Sequence, residues 1–380
     1  MRKLRTIGLL TATILLAGLA AAEAQETIKI GSSIPATGNL AFFGQHSRWG
    51  TELAVAEANA AGGVLGRKIE VDFQDNRCNP SEGVKSVSQM LSDKKYVAIF
   101  DGLCSSVALA IMPLVERAGV PFVVANASAT SIAEKSGAGG NKWTFKVNPS
   151  DAGLAKALVD WLYAHKQAEG IAVVGEDTDF GRSGAMGFEA ALEKHGLKLK
   201  SADYYQQGTA DFTPIFTKLR SQKPNRIALY AVGADFQNLI RQYASFGVGI
   251  PLTGRVLVDQ VPKEILAAGG VDGTTSVQPY DEGVDTPANK AFVAAFKKMH
   301  NNAPNLLSAE AYEATRVLLD AIKRAGTADP AKIRDALEKT KLQSILGNIM
   351  QFDDHNLAHN NAVITTIKGG KVEVLGLSGT

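Results

Sequence analysis

The chain has 380 residues, 45% of them hydrophobic, and 40 Lys and Arg against 38 Asp and Glu give a formal charge of +2. Near-neutral charge excludes partners held by bulk electrostatics, nucleic acid and anionic membrane surfaces among them. The length exceeds one usual domain and predicts two, with enough apolar residues for sizeable cores.

Residues 1–24 read as a secretory signal peptide. Arg2, Lys3 and Arg5 make a positive start, Ile7 to Leu19 a short apolar run, and Ala22-Glu23-Ala24 a small-x-small cleavage pattern. The run is short for a membrane anchor, and no later stretch is apolar for long enough to cross a bilayer. The expectation is an exported, soluble chain. Removing Arg2, Lys3, Arg5 and Glu23 takes its net charge from +2 to zero.

From Thr27 strands alternate with helices. Residues 28–34 read as a strand running into the turn Pro35-Ala36-Thr37-Gly38. Residues 44–61 form a helix stopped by Gly62-Gly63, followed by a strand at 68–73, a helix at 80–91 and a buried strand at 96–100. Gly102 to Thr130 reads as loop, helix, strand and loop, with Pro113 kinking its helix or opening a second segment. A strand at 143–147 precedes Asn148, where the pattern restarts. Helices at 151–165, up to His195, from Asp211 and at 235–246 alternate with strands at 171–174, 199–204 and 226–230. Short strands at 252–254 and 274–277 lead to three helices with no strand between them, at 287–300, 308–325 and 330–339. Three antiparallel strands, 349–352, 361–367 and 372–375, close the chain.

This alternation predicts an α/β protein of two doubly wound parallel-sheet lobes, whose ligands bind at the carboxyl ends of the strands. The loops at those ends carry Ser105 and Ser106 in one place and Ser128 and Thr130 in another. Each falls where a helix would start, and free backbone N–H groups there attract an anion. Simple helix capping explains the same residues and is compatible with ligand binding. Cys78 and Cys104, the only two cysteines, also fall at strand ends. In an exported chain they read as a disulfide, with two buried thiols as the alternative.

Signatures of catalysis are thin. There is no G-x-x-x-x-G-K-[ST], H-E-x-x-H or G-x-S-x-G. The glycines of GGVLG sit at a helix end, where glycine is a stop signal. His355 and His359 with Asp353 and Asp354 have a metal-like spacing but read as a solvated turn. No cofactor, metal or enzymatic activity is expected, with an exported hydrolase as a distant alternative.

Four segments carry a resemblance: IKIGSSIPATGNLAFFGQ, NAAGGVLGRKIEV, QDNRCNP with the later GLCSS, and VVGEDTDFGRSG. Over essentially the whole mature chain the sequence resembles the branched-chain (leucine/isoleucine/valine) amino-acid type of periplasmic substrate-binding protein, which serves ABC importers. The paired cysteines at these two loops are characteristic of it. The resemblance implies a type I periplasmic binding fold, two lobes joined by three crossing strands and closing on ligand like a hinge. Lobe 1 would be 26–147 plus 279–349, and lobe 2 148–278 plus 350–380. A monomer in the periplasm, delivering ligand to a permease with a cytoplasmic ATPase, follows from the same likeness. A ligand-sensing receptor is the alternative.

The resemblance also assigns residues. Ser105, with Ser106 beside it, and the loop of Ser128 and Thr130 would hold the ligand carboxylate. Phe43 and Phe180 fall where tyrosines are usual, and Val232 where another aromatic stands. Val256 falls where a glutamate binds the ligand ammonium. An ammonium unpaired in a closed cleft is very costly. These departures therefore point to a small carboxylate with an apolar or aromatic body and no amino group. A hydrophobic amino acid is the alternative, with Asp259, Asp179 or Asp177 replacing the glutamate. Arg255 could instead pair with a second acidic group.

Overall fold

The computed structural model describes residues 27–379, so the signal-peptide segment lies outside the described residues. The chain opens with β1 (Ile28–Ile34), α1 (Ala41–Ala60), β2 (Ile69–Asp75), α2 (Pro80–Ser92), β3 (Tyr96–Asp101), α3 (Ser105–Ala118), β4 (Phe122–Val124), α4 (Thr130–Glu134) and β5 (Thr144–Lys146). These five strands form one sheet in the order β2-β1-β3-β4-β5, every neighbouring pair parallel. A second run follows: α5 (Asp151–Ala164), β6 (Ile171–Glu176), α6 (Asp179–Glu193), β7 (Ser201–Tyr205), α7 (Thr213–Gln222), β8 (Arg226–Tyr230), α8 (Gly233–Ser245), β9 (Leu252–Gly254), α9 (Lys263–Ala267) and β10 (Thr275–Gln278). Then come α10 (Pro287–His300), α11 (Leu306–Ala325), α12 (Pro330–Leu337), β11 (Leu342–Gln343), β12 (Ile349–Met350), β13 (Asn361–Lys368) and β14 (Lys371–Gly379). The second sheet runs β14-β13-β10-β9-β8-β6-β7, parallel except for the antiparallel β10–β13–β14 edge.

The two sheets make two lobes, and the chain passes between them three times: after β5, after β10 and between β12 and β13. Each sheet is covered on both faces, which is why β3 and β6 are buried at every position and read as apolar up to their last residues, Asp101 and Glu176. In the first lobe Phe100 and Phe145 pack against Leu318 and Ile322 of α11 on one face. Ile99 and Phe122 pack against Val107 and Ile111 of α3 on the other. In the second lobe Leu229 meets Phe236 and Ile240 of α8, and Val173 meets Leu158 and Phe188.

Three local expectations change. Of the two readings of Pro113, the second segment falls away: the proline sits in an exposed position inside one helix, α3. The loop expected at Thr130 begins a short helix, α4. The segment at 349–352 does not join the C-terminal strands: Ile349 and Met350 pair with Gln343 and Leu342. Met350 is buried in the first lobe's core, so this segment precedes the last passage between lobes and cannot reach the second sheet. The β13–β14 hairpin turns on Gly369 and Gly370, with φ of 56° and 70°. Two successive left-handed residues suit a tight two-residue turn, and glycine adopts that conformation without strain.

Candidate ligand-binding cleft

The strand order reverses between β1 and β3 in one sheet and between β6 and β8 in the other. A doubly wound sheet opens a crevice at such a reversal, because the flanking connections leave on opposite faces. The two crevices face each other and enclose about 180 Å³ of free space. That is room for on the order of a dozen water-sized positions, enough for a small molecule. Leu40 and Phe43 at the start of α1, Leu103 to Ser106 at the start of α3, and Asn126 and Ser128 after β4 form the first wall. The second wall holds Glu176, Thr178 and Phe180 after β6, Gln207 after β7, Val232 after β8, and Arg255 and Leu257 after β9.

The first wall is held by its backbone. Asp101 and Gly102 have φ of 74° and 78°, and a Cβ at Gly102 would come within 3.0 Å of Phe122. The Asp101 carboxylate accepts from the Leu103 N–H at 3.1 Å and from the Ser47 hydroxyl. Its complete burial pushes its pKa up to about 6 against the pull of those bonds. A disulfide joins Cys78 to Cys104 with Cα atoms 5.5 Å apart, tying the loop after β2 to the α3 start. Cys104 is the N-cap of α3 and makes no side-chain capping bond. The first N–H groups of this helix therefore lack both intrahelical acceptors and a side-chain cap. Ser105 Oγ accepts from the Ala129 N–H at 3.1 Å, which fixes the Ser128 loop beside it and leaves the hydroxyl proton free to donate. Ser105 and Ser128 are both 5% exposed.

The second wall mixes apolar Phe180, Val232 and Leu257 with polar Thr178 and Gln207 and two ionisable groups, Glu176 and Arg255. Phe180 packs on Tyr230 with ring centroids 5.4 Å apart. Glu176 accepts from the Val232 N–H and from Gln207 Nε2, each at 3.2 Å. Burial raises its pKa to about 7 despite those bonds, and the nearby Asp235 adds to the rise. Arg255 is buried, with Nη1 3.7 Å from Oδ1 of the fully buried Asp151.

The lobes are closed on each other. The Thr130 N–H donates to Ser183 Oγ at 2.9 Å, and Ser183 Oγ in turn lies 3.2 Å from Thr130 Oγ1. Thr130 Oγ1 also accepts from the Ala152 N–H at 3.0 Å. Asn305 Nδ2, at the N-cap of α11, donates to Asp259 Oδ2 at 3.1 Å. Val232 and Leu257 of the second lobe pack into the apolar cluster that holds Leu40 and Phe43 of the first.

A family model described as periplasmic binding protein matches residues 27–371. The chain belongs to this family. A leucine-, isoleucine-, valine-, threonine- and alanine-binding protein of Pseudomonas aeruginosa is 26% identical over 342 residues, covering 90% of each chain. A leucine-binding protein from Thermotoga maritima superposes with a TM-score of 0.82 at 25% identity, over 92% of this chain and 98% of that one. A solute-binding protein of an ABC transporter from R. palustris, in complex with benzoate, also has a TM-score of 0.82, at 22% identity over 92% and 96% of the two chains.

In this periplasmic binding protein Phe43, Ser105, Ser106, Ser128, Phe180 and Val232 line one cavity. Three expected site residues do not. Thr130 is engaged in the contact between lobes. Asp259 is exposed and bound to Asn305, outside the lining. Val256 is 1% exposed and packs in the second lobe's core, its N–H donating to Ser276 Oγ at 3.0 Å. In extended chain successive side chains point to opposite sides, so a buried Val256 turns Arg255 and Leu257 toward the cleft. Asp177 pairs with Arg182 and Gln206, and neither it nor Asp179 lines the cavity. Glu176 is not among the expected site residues. Its signal is its place as the last residue of a buried strand, directly before the loop that carries Asp177, Asp179 and Phe180. Among the described residues no group of three metal-ligating side chains occurs, and no helix is long and apolar enough to cross a membrane.

Proposed function

We propose that this protein is the substrate-binding component of an ABC importer, exported to the periplasm on removal of residues 1–24. It captures a small carboxylate with an apolar body and passes it to a permease with a cytoplasmic ATPase, acting as a monomer. Lobe 1, residues 26–147 plus 279 onward through the segment 350–358, offers the N-terminus of α3 with Ser105, Ser106 and Ser128 to the carboxylate. That segment packs on Phe145 and Lys146 and so moves the expected boundary at 350 later. Lobe 2, residues 148–278 plus the β13–β14 hairpin, supplies Phe180, Val232 and Leu257 to pack the body against Phe43 and Leu40. A ligand bridging both walls binds the closed form better than the open one and shifts the population toward it. The observation that carries the reading is the uncapped α3 start beside two buried serines, set opposite a wall that offers Phe180, Val232 and Leu257 for an apolar body. Solved proteins of this fold accommodate both an amino acid and a benzoate.

A thermal-shift screen of amino acids against aliphatic and aromatic carboxylates tests the reading. Ligand at 100 times its Kd adds about 2.7 kcal/mol to the stability of the form that binds it, enough to raise the melting temperature by several degrees. Failure of every member of both classes to raise it would refute the assignment.

A further inference from the structure

Arg255 is the feature of the cleft that the serine clamp leaves unused. Its N–H donates to Leu229 O at 2.9 Å, which holds it in strand register just past β9. The side chain lines the cavity while only 6% exposed, and its Nε and Nη1 donate to no acceptor among the described residues. The 3.7 Å to Asp151 Oδ1 is too long for a hydrogen bond. A buried charged donor without an acceptor is costly, and an anion entering the cavity relieves that cost. The Asp151 N–H donates to Ser128 O at 2.8 Å, so the guanidinium stands next to the loop that carries Ser128.

We propose that Arg255 is the second lobe's receptor for the ligand carboxylate, shared with Ser105 and Ser128 of the first lobe, and that the cleft therefore selects carboxylates lacking an α-ammonium group. This rests on the reading that the cleft takes a small carboxylate. The anion itself then draws the lobes together, because its two sides meet donors from different lobes.

Glu176 is the only acidic side chain among the described residues lining the cavity. It ends β6, and β6 and β9 lie on opposite sides of β8. Two inter-strand spacings, roughly 10 Å, thus separate the strand ends that carry Glu176 and Arg255. An α-ammonium sits one carbon away from its carboxylate. With the carboxylate on Arg255, the ammonium falls beside a like charge and away from the one acid. That acid already accepts from Val232 and Gln207. Phe43, Phe180 and Leu257 leave an apolar volume for the rest of the ligand.

The test is calorimetric titration of the purified protein and its Arg255→Gln and Arg255→Lys variants with benzoate, 4-methylpentanoate, methyl benzoate and leucine. At least one of the two carboxylates should bind wild type, 4-methylpentanoate at least tenfold more tightly than leucine, and the uncharged ester not at all. Arg255→Gln should weaken carboxylate binding at least 100-fold, and Arg255→Lys, which keeps the charge and loses the fork, about tenfold. Should Arg255→Gln fail to fold with Asp151 left alone, the Asp151→Asn/Arg255→Gln pair removes both charges and is expected to show the same loss. Leucine binding that matches or exceeds 4-methylpentanoate, or carboxylate affinity unchanged in a folded Arg255 variant, overturns the inference and leaves the importer reading standing. Binding of no carboxylate and no amino acid overturns both.

Discussion

Ser183→Ala isolates the contribution of closure to affinity, because Ser183 touches the other lobe and not the cavity. Its hydroxyl accepts the Thr130 N–H at 2.9 Å and lies 3.2 Å from Thr130 Oγ1. In the open form both partners return to water. Ser183 also stands beside Asp151 of its own lobe in either form, so it is the loss of the Thr130 contacts that separates the closed form from the open one. Two hydrogen bonds at a net ~0.5–1.5 kcal/mol each give about 1–3 kcal/mol in the closed-to-open ratio. Where the open form dominates the free protein, that ratio multiplies directly into affinity, so Kd should rise about 5- to 150-fold. Alanine suits the interior of α6, so the melting temperature without ligand should hardly move. Titration calorimetry with whichever ligand the screen identifies, together with small-angle scattering of the liganded variant, measures both quantities. A Kd equal to wild type in a folded Ser183→Ala protein would refute the view that the Thr130–Ser183 contact helps to hold the closed state.

Ser105→Ala should act on stability and affinity separately. The Ala129 N–H loses its 3.1 Å acceptor in a buried site, at about 1–3 kcal/mol, which a denaturant melt without ligand reads. The loss of a hydrogen bond to a charged group should weaken carboxylate binding by about 1.5–3 kcal/mol, or roughly 10- to 150-fold, and an unchanged Kd would remove Ser105 from the clamp. Glu176→Gln gives a pH signature. The folded carboxyl titrates near 7 against an ordinary 4.5, so between those values the folded protein keeps a proton that the unfolded chain has released. Wild-type stability relative to the variant should therefore fall from pH 4.5 to 7 and level off above, with a slope of at most about 1.4 kcal/mol per pH unit. Paired urea melts across that range check it, and a pH-independent difference would show that Glu176 is not held in a dry wall.

Much of this molecule is legible in its residues. Two-fold and 3.6-fold periodicities repeat along the chain, and Gly62-Gly63 and the asparagine and serine caps mark where elements stop and start. The wall residues from the first lobe are legible too, since Leu103 to Ser106 and Ser128 follow directly from strand ends. Less legible are features that depend on a single residue of register. Val256 and Arg255 differ by one position, and that position decides which of them meets ligand and which meets the core. Their facing is set by Leu229 and Ser276, from two neighbouring strands. Thr130 shows another limit. Its sequence context is that of a helix start in an anion loop, and only the approach of Ser183, 53 residues later, turns its N–H and hydroxyl to holding the lobes.

The sequence by itself therefore determined the class of fold, the carboxyl-end loops and the serines at the start of α3, because hydrophobic periodicity and capping chemistry are local. Tertiary structure alone decided that the two sheet reversals face each other, that Thr130 and Asp259 bind across the lobes, and that Arg255 and Glu176 enter the cavity. Those outcomes depend on how separate strands register and how separate lobes meet, and no periodicity within one segment encodes either.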